Sequence, residues 1–333
     1  PRSIAARRLA STYLSFLHDA QMEDGRFHNF MSYDRKWLDE VGTQDSFGRA
    51  FWSLGYGMAH AVRPSWQRLC ARLLLQALPA ISHLEHPRSK AYTMIGLCLG
   101  LQSFDNAFAH SEKAAQDDSS GIAHGASPLH DRGVCHAEQG LAEAKPVVEA
   151  HLRTMADDLK AAYLATRDID WQWFEDEMTY DNARLCEAML RAGLALRDDE
   201  LIAIGLRTFS FYERVVVEHG VFVPVGNDGW YRRGGRKAQF GQQPLEAAAF
   251  VDAALVAYEC TSDPAFQASA QLALDWFYGR NSGDLVLVRN GGSCDGLEDG
   301  HANANMGAES TLAFLASAFA LAERPAKSLQ IAR

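Results

Sequence analysis

The sequence predicts an all-α protein, an (α/α)n toroid of helical hairpins, from three observations. Apolar residues recur at i, i+3, i+4 and i+7, as at Leu185, Ala188, Met189, Ala192 and Leu196, the mark of helices with one buried face. A polar run ending in a carboxylate leads into an apolar helix four times, at Asp45, Asp181, Glu246 and Glu309. These positions are separated by 65 residues from 181 to 246 and 63 from 246 to 309, while 45 to 181 is about twice that interval. A recurring unit of this length implies an array of helical hairpins. Its signal opens every second helix, so the inner helices are expected to bring their N-termini together at one end of a barrel.

Bulk properties narrow the function classes. The 333 residues are 47% hydrophobic, enough to bury a large core, and are read as one domain. A net charge of −10 without a long basic cluster argues against nucleic acid or an anionic membrane as partner. No apolar run reaches the roughly 18 residues of a membrane helix. Six cysteines, at 70, 98, 135, 186, 260 and 294, contain no CxxC and are read as buried thiols of a cytoplasmic protein. The chain opens at Pro1 without methionine or signal segment and is read as a fragment.

In order along the chain, a helix is expected over 3–22, striped by Ile4, Leu9, Tyr13, Leu14, Phe16 and Leu17. The aromatic and charged loop 23–43 exceeds what a hairpin connection needs, and long loops tend to carry function. A helix after Asp45 stops at Arg63-Pro64; Ser65 is expected to cap 66–81, and Pro87 to open 88–103. Residues 105–139, with Ser119-Ser120-Gly121 and Gly125-Ala126-Ser127-Pro128, read as a long exposed loop with one short helix at most. Its histidines, His110, His124, His130 and His136, lack the spacing and acidic company of a metal site. Pro146 is expected to start a helix over 146–166. Beyond the aromatic and acidic stretch Trp171–Arg184 come helices over 181–196 and 199–215 and a strand-like Val221–Val225. A glycine-rich loop, 226–235, carries Trp230, Tyr231, Arg232 and Arg233; helices follow over 243–260, 263–279 and 305–322. The run from Asp295 to Gly300 lacks the alternating ligands of an EF-hand, so neither metal nor cofactor is expected. Pairing the helices gives five hairpins.

Several motifs resemble the six-hairpin glycosidase-like superfamily of (α/α)6 toroids, and more closely a bacterial group often labelled glycosyltransferase or glycosidase-like. They are Asn29-Phe30-Met31-Ser32-Tyr33-Asp34-Arg35, Trp173-Phe174-Glu175-Asp176, Tyr180-Asp181-Asn182-Ala183-Arg184, Gly229-Trp230-Tyr231-Arg232-Arg233-Gly234-Gly235 and Gly307-Ala308-Glu309-Ser310-Thr311-Leu312. The resemblance covers nearly the whole chain except 105–139 and implies a sixth hairpin, supplied by a further N-terminal segment. Two positions depart from it: Met306 replaces an expected Gln, and Gly241 an expected Asp.

Acetal cleavage needs a carboxylic acid for the leaving oxygen and a carboxylate as base or nucleophile. Asp45, Asp176, Asp181 and Glu246 are the catalytic candidates, with Asp45 and Asp181 as the expected pair. By analogy with toroid hydrolases, an inverting spacing of roughly 6.5–9.5 Å is expected. Glu175, Asp295 and Glu309, together with Asn182 and Gln243, would bind hydroxyls. Trp173, Trp230 and Tyr231 would stack on sugar faces, while Arg49, Arg184 and Arg232 would hold hydroxyls or acidic groups. The expected partner is an oligosaccharide or polysaccharide. Two other classes stay open: a glycan-binding module without catalysis, and a sugar epimerase or isomerase using His60 or His301.

Overall fold

Ten α-helices account for most of the computed structural model, which describes residues 3–118 and 128–322 and the side chains outside 104–142. They are α1 (Ile4–Ala20), α2 (Gln44–His60), α3 (Pro64–Ala77), α4 (Pro87–Asp118), α5 (Pro128–Thr166), α6 (Ala183–Leu196), α7 (Asp199–Val216), α8 (Pro244–Thr261), α9 (Pro264–Phe277) and α10 (Ala308–Ala322). A 3₁₀ helix, Leu78–His83, extends α3. The described strands have two residues each: β1 (Glu177–Met178), β2 (Val217–Glu218), β3 (Val221–Phe222), β4 (Tyr231–Arg232), β5 (Val288–Arg289), β6 (Gly292–Ser293), β7 (Leu297–Glu298) and β8 (His301–Ala302). They pair antiparallel as β1–β4, β2–β3, β5–β6 and β7–β8. No described helix is long and apolar enough to cross a membrane.

Local chemistry sets the helix starts. Ser3 accepts from Ala6 N–H at 3.0 Å, Thr43 from Ser46 N–H at 3.1 Å, and Asp263 from Ala265 N–H at 2.9 Å. Proline stands in the first turn of α3, α8 and α9, where its missing N–H leaves no helical bond unmade. Arg63, rather than the expected Ser65, takes the N-cap position of α3.

The expected loop over 105–139 is corrected: α4 runs to Asp118, and α5 begins at Pro128 and passes straight through Pro146. The stretch 105–139 has few large apolar residues but carries seven alanines, and intrinsic helix propensity prevails where periodicity is weak. Residues 119–127, including His124, lie outside the described residues, as do the side chains of His110, His130, His136 and Cys135.

The chain divides into two compact units, Pro1–Asp157 with Ala195–Asp198, and Asp158–Leu194 with Asp199–Arg333. In the first, α2 packs along α4 and against α3. At its glycines the α2–α4 contact brings backbone against backbone. A Cβ on Gly55 would stand 2.1 Å from the Gly96 carbonyl oxygen, and one on Gly96 2.6 Å from that of Phe51. The small residues following Asp45 therefore let two helices approach more closely than side chains allow. Gly55→Ala should separate them and lower stability by about 1–3 kcal/mol, read as a lower denaturation midpoint with unchanged slope. The apolar stripe of α1 is mostly uncovered, with Ile4, Leu9, Tyr13 and Phe16 exposed.

In the second unit α8 packs against α7, α9 and α10. It is apolar on all sides for that reason, with Ala247 through Val251 and Ala253 through Ala257 buried. Phe250 gathers Phe209, Phe222 and Tyr212 at ring distances of 4.9, 5.0 and 6.1 Å. Cys70, Cys98, Cys186 and Cys294 are buried free thiols, and burial pushes Cys70 up to about 11 and Cys186 to about 12.

Candidate functional site

The best-defined polar cluster lies in the second unit, where α6 and α8 begin. Pairing of β1 with β4 holds the segment before α6. Asn182 then closes a local turn, its Oδ1 accepting from Thr179 N–H at 3.0 Å and its Nδ2 donating to Thr179 O at 2.8 Å. Asp181 between them adopts φ +49°, a left-handed conformation that a non-glycine residue keeps only when its surroundings impose it.

Glu246, in the first turn of α8, reaches this turn from a position 65 residues away. Its carboxyl group accepts from Asp181 N–H, from Asn182 N–H at 3.4 Å, from Asn182 Nδ2 at 3.3 Å and from Tyr212 O–H at 2.9 Å. Two carboxylates that the repeat places at equivalent positions thus share one buried cluster, with Glu246 1% and Asp181 2% exposed. Burial pushes the Glu246 carboxyl up, the neighbouring Asp181 charge pushes it further, and its hydrogen-bond donors return part of the shift, leaving it at about 7. Tyr212 is driven the other way from ionising, its hydroxyl raised well above the usual range by burial and by Glu246.

Behind the pair sits an ion network. Arg184 Nε stands 3.6 Å from Asp181, and its Nη1 bonds Glu187 and, at 2.7 Å, Asp252; Arg191 holds Glu187 at 2.7 Å. Burial raises the Glu187 carboxyl, but the two arginines outweigh it and hold the group below the usual carboxylate range. Arg184 is 4% exposed and already occupied by protein carboxylates, so the expected substrate-holding role is corrected to an internal counter-ion.

The other candidates separate by environment. Trp173, expected on a sugar face, is fully buried against Phe174 and Tyr212, and its aromatic surface serves the core. Asp176 is corrected from a catalytic acid to part of a surface clasp. Its side chain is 79% exposed and lies 3.3 Å from Arg233, which also binds Asp168. Glu175 offers its carbonyl to Trp171 Nε1 at 2.8 Å. Arg232 is exposed, 3.8 Å from Glu177, and Tyr231 stands edge-on to Trp171 at 5.4 Å. Trp230 is half-buried with φ +55°, and Gln243 occupies the N-cap of α8 without a side-chain cap bond.

Asp295 prepares the start of α10, accepting from Gly307 N–H at 2.6 Å and from Asn305 Nδ2. Burial raises its carboxyl, yet these bonds and one from Ser310 hold it below the usual range. Glu309, the residue that the repeat singles out, is exposed in the first turn. In the first unit, Asp45 pairs with Arg49 at 2.9 Å, and Arg49 lies 4.7 Å over the Tyr92 ring. Asp181 finds its carboxylate neighbour in Glu246.

Gly241 has a structural reason for departing from aspartate. Its φ is +70°, and a Cβ there would meet Asn227 Oδ1 at 2.1 Å. His60, beside Tyr56, and His301, on β8, are both exposed. Among the described residues no group of three or more His, Cys, Asp or Glu could hold a metal ion. Tyr212, Glu187, Asp252 and Arg191 escape the sequence reading. Only Glu187 and Arg191 carried a signal, the i, i+4 charge spacing. No protein-family model matches this chain, and no curated protein matches it.

Proposed function

We propose that this chain is a carbohydrate-active enzyme, a glycoside hydrolase of oligo- or polysaccharides built on a toroid of α-hairpins. Asp181 and Glu246 are its working carboxylates. The observation that carries the reading is that these two acids share one buried cluster in which the Glu246 carboxyl is raised to about 7. Glycosidic cleavage needs one carboxyl group that still holds a proton near neutral pH and another beside it that is ionised. Glu246, at about 7, fits the acid, and Asp181, 3.6 Å from the Arg184 guanidinium, stands beside it as the second carboxyl group. The left-handed backbone at Asp181 adds support, since such conformations gather at functional sites. The packing of α2 on α4 and of α8 on α10 supports consecutive inner helices within each unit. Because both acids are covered, the reading requires the turn at Thr179–Asn182 to open for substrate.

That same burial favours a second reading, a module that binds glycan without cleaving it. Product chromatography and calorimetry on a panel of bacterial oligosaccharides separate the two. The hydrolase reading expects turnover that falls about 10²–10⁴-fold in Asp181→Asn and in Glu246→Gln, with binding retained. It also expects kcat/KM to decline as pH rises above about 7 and Glu246 loses its proton. Turnover unchanged in both variants would sink the hydrolase assignment; binding without turnover in the unmodified chain would establish the second reading.

A further inference from the structure

A groove of about 530 Å³ in the first unit is lined by Ile4, Arg7, Arg8, Ser11 and Thr12 of α1 and by Arg63, which precedes α3. Among the described residues, none of its three arginines enters an ion pair. Guanidinium groups that line one groove repel one another unless something negative lies beside them, and on a chain of net charge −10 acidic side chains are in ample supply. None has been placed here: the first turns of α1 and α3 both lack an acidic residue. The partial positive charge at those two helix starts adds to the field of the arginines rather than relieving it. Arg63 is held in place by its Trp66 ring, 5.0 Å away.

We infer that this groove is a binding site for a tetrahedral oxyanion, a phosphate or sulfate group, free or carried as an ester on a small molecule. Planar guanidinium forks match such oxygens with paired N–H donors, and the Ser11 hydroxyl offers a shorter-range one, while that of Thr12 donates to the Arg8 carbonyl at 3.0 Å. The side chain of Ile4 gives one wall an apolar surface, which suits an ester better than a bare ion. The inference concerns the first unit and does not depend on the carboxylate pair.

The test is a titration of the intact chain with inorganic phosphate at low ionic strength, followed by calorimetry and by the ³¹P linewidth of the phosphate. Saturable binding is expected, weakening as salt rises. Arg7→Gln and Arg63→Gln should each reduce affinity about tenfold, the effect of one charge-assisted contact. Arg72→Gln, an exposed position on α3, should leave it unchanged, and circular dichroism melts confirm that the variants fold. Glycerol phosphate binding more tightly than inorganic phosphate would assign an ester as the ligand, and equal affinity would assign the free anion. A response that does not saturate, or an equal loss in all three variants, would overturn the site.

Discussion

Replacing Arg184 with alanine should lower the stability of this protein by about 3–5 kcal/mol, the range observed when one partner of a buried ion network is removed. The reason lies in what remains. Asp181, Glu187 and Asp252 all direct carboxylate oxygens at this guanidinium, and Asp181 and Glu187 are almost entirely buried. Without it the three acids must ionise beside one another in a poorly solvated space, with only Arg191 to offset Glu187. Chemical denaturation at neutral pH reads the loss as a drop in midpoint. Glu187 sits below the usual carboxylate range in the intact network, so the variant should regain part of its stability toward acid, where the stranded carboxylates can protonate. A loss below about 1 kcal/mol at neutral pH, the size of a surface pair, would mean that the network is far better hydrated than its burial indicates.

The second large effect is a pH dependence that belongs to Glu246. Its carboxyl titrates at about 7 in the folded chain against an ordinary value of 4.5. Between those values the folded protein holds a proton that the unfolded chain has released, so this group's contribution is complete below about pH 4.5 and is lost as pH rises through 7. The difference amounts to roughly 3 kcal/mol across that window. Glu246→Gln keeps the shape and the accepting oxygen for Asp181 N–H but cannot ionise, so its stability should be nearly flat where the parent declines. Denaturation midpoints of the two proteins measured side by side from pH 4.5 to pH 8 isolate the group from every other titration. Parallel curves would show that the Glu246 carboxyl is ionised in the folded state throughout, and would remove the proton-holding acid from the proposed mechanism as well.

Helix placement was largely legible in the chain. The starts of α2, α6, α7, α8 and α9 fall within two residues of where caps, prolines and apolar spacing put them, because those signals act through bonds that local sequence supplies. Residues 105–139 were misread, since a helix held by propensity shows no apolar stripe and Pro146 resembles a start when viewed without its neighbours. Among the candidate side chains, the repeat marked Asp181 and Glu246, which share one buried cluster, yet it gave the same weight to Glu309, which is exposed, while Asp295 is the acid that prepares α10. A repeat marks equivalent positions along the chain. It carries no information about which of them a neighbouring helix will cover.

By itself, then, the sequence determined the helical class, the order of the elements and the two carboxylates at the starts of α6 and α8, all properties written in local spacing and capping chemistry. Tertiary structure alone decided that Glu246 crosses 65 residues to the Asp181 turn, that Tyr212 completes its bonding, and that Trp173 packs in the core and Arg184 among buried carboxylates. Burial and charge proximity set those roles, and both depend on which residues distant in the chain come to lie within a few ångströms of one another.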